Sequence, residues 1–227
     1  MNTMPRSKLI GTVVARFGAG AVVMGLLFFG AAGTFRFWQA WVFMAILFIP
    51  MFFVVLYLIR NDPALIERRM RTREREPFQK KSQIISTILY LLAFLIPGLD
   101  HRFGWSSLPV AVVIVADVFV FLGYLLFILV LRENSYASRV VDVEVDQKVV
   151  STGPYSLVRH PMYFAALMIF FFSPAALGSL WALFAIIPAT SLLVPRIIEE
   201  ERLLSRELSG YESYKQKVRY RLIPMVW

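Results

Sequence analysis

Hydrophobic and polar positions alternate in long blocks along this chain. Apolar runs fall at Leu9–Gly33, Phe37–Ile59, Gln83–Leu99, Leu108–Leu131, Tyr163–Leu177 and Ser179–Ile198. A helix needs about 20 apolar residues to cross the hydrocarbon of a bilayer, so the first, second and fourth runs are predicted spans. The third and fifth are short. The fifth and sixth are joined by "SPAALGS", where Pro174 and Gly178 suit a tight turn. That pair is predicted to be a helical hairpin whose first arm is short for a full crossing. The first run exceeds the apolar core of a signal peptide and reads as a helix that stays. Its "GAGAVVMG" lacks the spacing of a dinucleotide fingerprint and has no strand before it, so it reads as close helix packing.

Composition agrees with the blocks. The 227 residues are 58% hydrophobic, only 17% charged, and have a mean hydropathy of +0.64. Too little polar surface remains to coat a globule of this size, so lipid is the natural solvent for much of the chain. Cysteine is absent, which excludes disulfides, thiolate nucleophiles and thiolate metal sites; two histidines exclude a multi-histidine zinc centre. The predicted fold class is all-α, a polytopic transmembrane bundle of five to six membrane helices.

The net charge of +9 is a matter of placement rather than of nucleic-acid binding. The stub before the first run, the segment 60–82, the segment 132–160 and the tail from 196 together hold 21 of the 24 basic residues. With six crossings these four segments share one side. The opposite loops carry only Arg36 and Arg102, and Arg16 lies in the first helix, from which it is expected to snorkel. Cytoplasmic loops are enriched in Lys and Arg, so both termini are expected to be cytoplasmic, with anionic lipid as a contact.

Polar chemistry collects at that same face. "GPYSLVRHPMYF" (153–164) opens with a helix-breaking turn, and Pro161 suits the first turn of the fifth helix. His160 and Tyr163, three apart, can share a helical face. A helix start there also favours an anionic group. At the end of the sixth run Arg196 and Glu200 are four apart, within an acidic knot of Glu199, Glu200 and Glu201. Because the two helices form a hairpin, both faces can close on one pocket. A carboxylate, an anion-favouring helix start and aromatic walls suit a zwitterionic, partly apolar cofactor.

Plainer explanations compete at each position. Tyr and His at a membrane boundary serve equally often as interfacial anchors, and a terminal Arg196 can simply snorkel. Glu201 reads as part of a solvated helix continuation. His101, in the short outer loop "DHRFGW", reads as solvated. Asp117, inside the fourth span, is a costly intramembrane carboxylate: either a functional group or a hydrogen-bonding partner for a neighbouring helix.

"VVSTGPYSLVRHPMY", "EEERLL", "GYESY" and "KVRYRLIPMVW", in that order over residues 131–227, resemble the isoprenylcysteine carboxyl methyltransferase family. The bacterial members look closest, and the wider group includes phospholipid methyltransferases. The resemblance implies a membrane bundle whose C-terminal helices and loops enclose S-adenosylmethionine at the cytoplasmic face. It divides the chain into N-terminal helices (1–130), which include the basic loop 60–82, and a catalytic region (131–227). Carried over by motif, His160, Pro161, Met162 and Tyr163 line the cofactor site, Tyr155, Val149 and Val150 complete its wall, Glu200 contacts the cofactor, and Arg196 faces the acceptor. Glu199 stays an alternative to Glu200. Ala165 stands where relatives often have Gly, and its methyl group would narrow the cofactor channel. The implied partners are membrane lipid and a lipophilic acceptor. The implied location is a bacterial inner membrane.

Two rival classes share parts of this pattern. A membrane reductase using NADPH on a lipid or sterol-like substrate has a similar His-Pro-x-Tyr element and ending, and the Arg68–Lys81 segment could meet a 2′-phosphate. A non-enzymatic membrane scaffold would use the same polar residues only as anchors.

Overall fold

The structure is a computed structural model, and it describes residues 5–70, 77–137, 143 and 147–227. Arg71, Arg73, Arg75 and Arg139, counted above among the basic residues, lie outside the described residues. Among the described residues every regular element is helical. The order is α1 (Arg6–Gly25, continued by a π-helical turn Leu26–Gly30), α2 (Trp38–Asn61), α3 (Pro63–Met70), α4 (Pro77–Phe103), α5 (Val110–Glu133), a 3₁₀ turn (Gly153–Ser156), α6 (Pro161–Ala176), α7 (Leu180–Ser191), α8 (Leu193–Glu207) and α9 (Tyr211–Lys217). In lipid every backbone polar group must be satisfied within the chain, and helices do this segment by segment.

Five helical stretches are long and apolar enough to cross a membrane: Arg6–Gly30, Trp38–Asn61, Lys80–Phe103, Val110–Glu133 and Leu180–Glu207. The third predicted run is thus longer than its hydropathy suggested. It continues through Pro97 to Phe103, so His101 sits in the last turn of α4, not in a loop, with its ring stacked on Phe37 at 4.5 Å. α6 has only 16 residues, about 24 Å of helix. It still links the two ends of the bundle. At its start Met162 packs against the cluster Leu9, Leu58, Leu65, Ile66, Leu131 and Ala137. Just past its end the Ser179 hydroxyl donates to Asp100 at 2.5 Å. The sixth run is broken in two at Leu192, because Pro195 lacks the N–H that would continue the α7 ladder into α8.

One end gathers the start of α1, the ends of α2 and α5, all of α3 and the start of α6. The basic segments converge there: Arg16 donates to the Met70 carbonyl at 2.6 Å, and Arg68 to the Ser135 carbonyl at 2.9 Å. At the opposite end Asp100, 2% exposed, accepts from the Ser106 amide (2.7 Å) and from the Ser106 and Ser179 hydroxyls (2.5 Å each). Ser179 in turn caps α7 by accepting from the Ala182 amide at 3.2 Å.

Glycine matters where helices touch, and this is not in "GAGAVVMG". Nothing lies within 4 Å of a side chain added at Gly18, Gly20 or Gly25, so the small residues of α1 do not serve close packing within this chain. Gly98 of α4 does: a Cβ there would lie 2.7 Å from the Phe28 carbonyl and the Ala31 methyl of the π-helical bend. α5 packs most extensively on α6, where Gly123 admits Met168 and the Ala165 carbonyl. Ala165 is fully buried in that contact. Asp117 is buried too, inside the bundle rather than in lipid, and its Oδ1 has no hydrogen-bond partner.

Gly98→Ala is expected to lower the melting temperature in detergent, at a cost of about 1–3 kcal/mol for overpacking against backbone. Gly18→Ala, made in open space, is expected to leave it unchanged or raised.

Candidate functional site

The local sequence dictates how the site is built. Pro161 occupies the first turn of α6, so His160 becomes its N-cap residue with its amide outside the helix. That amide donates to the Arg221 carbonyl at 2.8 Å, and the Arg159 amide to the Tyr220 carbonyl at 2.9 Å. The tail is thereby stitched across the start of α6. Ile197 and Glu201, four apart on α8, both face inward, at 0% and 5% exposure.

Glu201 is the hub. Its Oε1 accepts from Arg159 Nε at 2.6 Å and lies 3.2 Å from His160 Nε2; its Oε2 accepts from Arg221 Nε at 2.8 Å. Arg159 completes its fork on the Val218 and Arg219 carbonyls at 2.8 and 2.9 Å. Glu201 is therefore no solvated continuation of the helix, as the run of glutamates suggested, but a buried ion-pair centre. Neither Arg159 nor Arg221 stands out in sequence either. The available signal was helical phase, since Glu201 lies one turn after the buried Ile197.

Above the hub a pocket opens. Val149, Val150, Tyr155, His160, Pro161, Met162, Tyr163 and Glu200 all line it, together with Asn134, Leu204, Tyr211 and Tyr214. Glu200 accepts from the Tyr163 hydroxyl at 2.6 Å, and its Oε1 lies 4.0 Å from His160 Nδ1. Glu199 instead pairs with the exposed Arg202, so of the two glutamates Glu200 faces the pocket. Arg196 is not a lining residue; its Nε donates to the Tyr163 hydroxyl at 3.0 Å and so reaches Glu200 through that phenol. Ala165 does not line the pocket, so its methyl group does not narrow it.

Two aromatic groups complete the wall from "GYESY". Tyr214 donates to the Tyr155 carbonyl at 2.7 Å. Tyr211 is 4% exposed and its hydroxyl has no hydrogen-bond partner. Tyr155 accepts from the Asn134 side-chain amide at 2.8 Å. Burial pushes its phenol up to about 12 despite that bond, so it rests protonated at neutral pH. Among the described residues no group of three His, Cys, Asp or Glu could hold a metal ion.

Fold and site together define a polytopic helical membrane protein with a polar pocket at its basic end. Residues 111–209, from α5 through α8, match the phospholipid methyltransferase family. That match, over somewhat less than half of the chain, supports an integral membrane methyltransferase. Among solved structures it is similar to a eukaryotic intramembrane Ras methyltransferase, isoprenylcysteine carboxyl methyltransferase, with 18% identity over 96% of this chain and 86% of that one and a TM-score of 0.48. No curated protein matches the chain in sequence.

Glu201→Gln removes the charge that two arginines share. A cost of about 3–5 kcal/mol is expected for breaking a buried pair, read as a large drop in melting temperature in detergent. Glu199→Gln, on the exposed side of the same helix, is expected to change it little.

Proposed function

We propose that the pocket binds S-adenosylmethionine and that the protein methylates the carboxylate of a lipophilic acceptor. One observation carries this reading: an accepting carboxylate (Glu200), an unpartnered buried phenol (Tyr211) and apolar walls (Val149, Val150, Leu204) surround a single pocket. That donor set suits a ligand with an ammonium, hydroxyl or carboxylate groups, and an apolar ring. Glu200 would take the ammonium, Tyr211 would donate to an oxygen, and the valines and Leu204 would cover the ring. His160, Pro161 and Met162 would form the floor, and Tyr155 the wall beside them.

When bound, S-adenosylmethionine supplies an electrophilic methyl group on a cationic sulfur. The chain contributes alignment and exclusion of water. A carboxylate acceptor carries its own lone pair and requires no base, which fits a pocket whose Tyr155 is held protonated. Arg196 would face the acceptor carboxylate and hold Tyr163 against Glu200. Residues 131–227 form the catalytic region, and 1–130 the membrane scaffold with its basic segment. The basic end lies at the cytoplasm, both termini with it, in a bacterial inner membrane. The cofactor then arrives from water while the acceptor arrives from lipid.

In calorimetric titration of the detergent-purified protein, S-adenosylhomocysteine is expected to bind saturably and NADPH not at all. His160→Ala and Glu200→Ala are each expected to weaken that binding about tenfold or more, the scale of one charge-assisted hydrogen bond. Binding of NADPH alone would make the protein a reductase, and binding of neither by folded protein would make it a scaffold.

A further inference from the structure

The end of the bundle opposite the pocket carries a site that the proposed function does not use. Four of the five tryptophans gather there: Trp38 and Trp41 at the start of α2, Trp105 after α4 and Trp181 at the start of α7, all exposed. Exposed tryptophans mark the headgroup level of a membrane. At that level stand the two basic residues that depart from the charge asymmetry, Arg36 and Arg102. Gly33, at φ 65°, turns the chain out of α1, and its missing side chain leaves room for Arg102. The guanidinium carbon lies 3.7 Å from where a Cβ on Gly33 would stand. Among the described residues Arg102 has no carboxylate partner; its guanidinium lies over the ring of its neighbour Phe103 at 5.5 Å. The one described acid at this end, Asp100, is buried and taken up by Ser106 and Ser179.

From Gly33 a groove of about 550 Å³ runs down the outside of α1 and α2. Its floor is glycine: Gly25 and Gly30 line it, and a Cβ on either would meet nothing within 4 Å. One wall is a fixed aromatic stack, in which Phe29 lies 4.5 Å from Trp41 and 5.4 Å from Phe35. The Trp41 indole holds that wall by donating to the Phe35 carbonyl at 2.9 Å. Both helices are apolar enough to span, so the groove opens to lipid. Its lining positions on α1 run from 22 to 33, about 16 Å of helix, close to the hydrocarbon depth of one leaflet. At the top the Thr34 hydroxyl accepts from the Arg36 amide at 3.1 Å, and its own proton is given to no described residue.

We propose that this groove is a phospholipid site: one acyl chain lies along Gly25 and Gly30, and the phosphate meets Arg102, with the Thr34 hydroxyl as a second donor. A guanidinium suits a phosphate because its N–H fork matches two oxygens and its charge is permanent. A second copy of the chain is the other occupant that a glycine-floored groove can take in a membrane. It would bring another Arg102 to the same level and no exposed acid to meet it. The charge at the mouth therefore selects the phosphate. The site stands apart from the methyltransferase reading, since none of its residues lines the polar pocket.

The test uses the full chain in a neutral detergent and native mass spectrometry, which counts bound lipid and copies of the chain together. The probes are dioleoyl phosphatidylglycerol and dioleoylglycerol, which share their acyl chains and differ in the phosphate headgroup. Wild type is expected to hold one phospholipid tightly and to bind the diacylglycerol about tenfold more weakly, the scale of one charge-assisted hydrogen bond. Arg102→Gln is expected to bring the phospholipid down to the level of the diacylglycerol. Arg60→Gln, at the basic end, is expected to leave the tight phospholipid in place. Gly30→Leu puts a side chain where nothing else stands and is expected to weaken both lipids about tenfold, the scale of two buried methylenes. Should either variant fail to fold, the wild-type comparison still decides, because equal retention of phospholipid and diacylglycerol overturns the proposal. Phospholipid retention that Arg102→Gln or Gly30→Leu leaves unchanged overturns it as well. A wild-type dimer that carries no phospholipid and is split by Gly30→Leu overturns it too, and gives the groove to a second copy.

Discussion

The pocket depends on one buried carboxylate. Glu201 draws Arg159, His160 and Arg221 to a single point, and these come from the loop before α6, the helix N-cap and the tail, while Glu201 itself rides on α8. A buried charge of this kind is costly to desolvate, and its value lies in specifying an arrangement: any other placement of the tail would take Arg221 from Glu201 and the Val218 and Arg219 carbonyls from Arg159. With that point fixed, Glu200 one residue earlier turns toward Tyr163, and α9 is placed to bring Tyr211 and Tyr214 over the cavity. Adjacent glutamates thus face different ways: Glu201 holds the ion-pair centre and Glu200 lines the pocket.

The second constraint is solvent. α7 and α8 together run from the Asp100–Ser179 cluster at one end of the bundle to the polar network at the other. Groups that must stay charged sit where the helices end, while the faces of α2 and α5 stay apolar and exposed to the surroundings. Under the proposed function, a site on this boundary would receive its cofactor from water and its acceptor from lipid.

Much of this was legible in the sequence because lipid imposes a coarse rule. Long apolar runs must be helices, so α1, α2 and α5 are visible in hydropathy alone. The convergence of 149–163 with 196–200 follows from the hairpin and from motif order. What was not legible depends on contacts distant in sequence. Glu201 differs from Glu199 only in helical phase, and its partners Arg159 and Arg221 lie 42 and 20 residues away. The helix break at Leu192 is invisible to hydropathy because both flanks are apolar. The glycines of α1 looked like packing surfaces, yet the close approaches occur at Gly98 and Gly123, since small residues mark a contact only when a partner helix faces them.

The claim most directly open to measurement is that the ligand of this pocket is S-adenosylmethionine. Ultraviolet cross-linking of tritiated S-adenosylmethionine to the purified protein, followed by peptide mapping, reads the site itself. The account predicts label within 147–163 or 200–214, displaced by S-adenosylhomocysteine and not by NADPH. Label confined to α1–α4, or displaced only by NADPH, would contradict it.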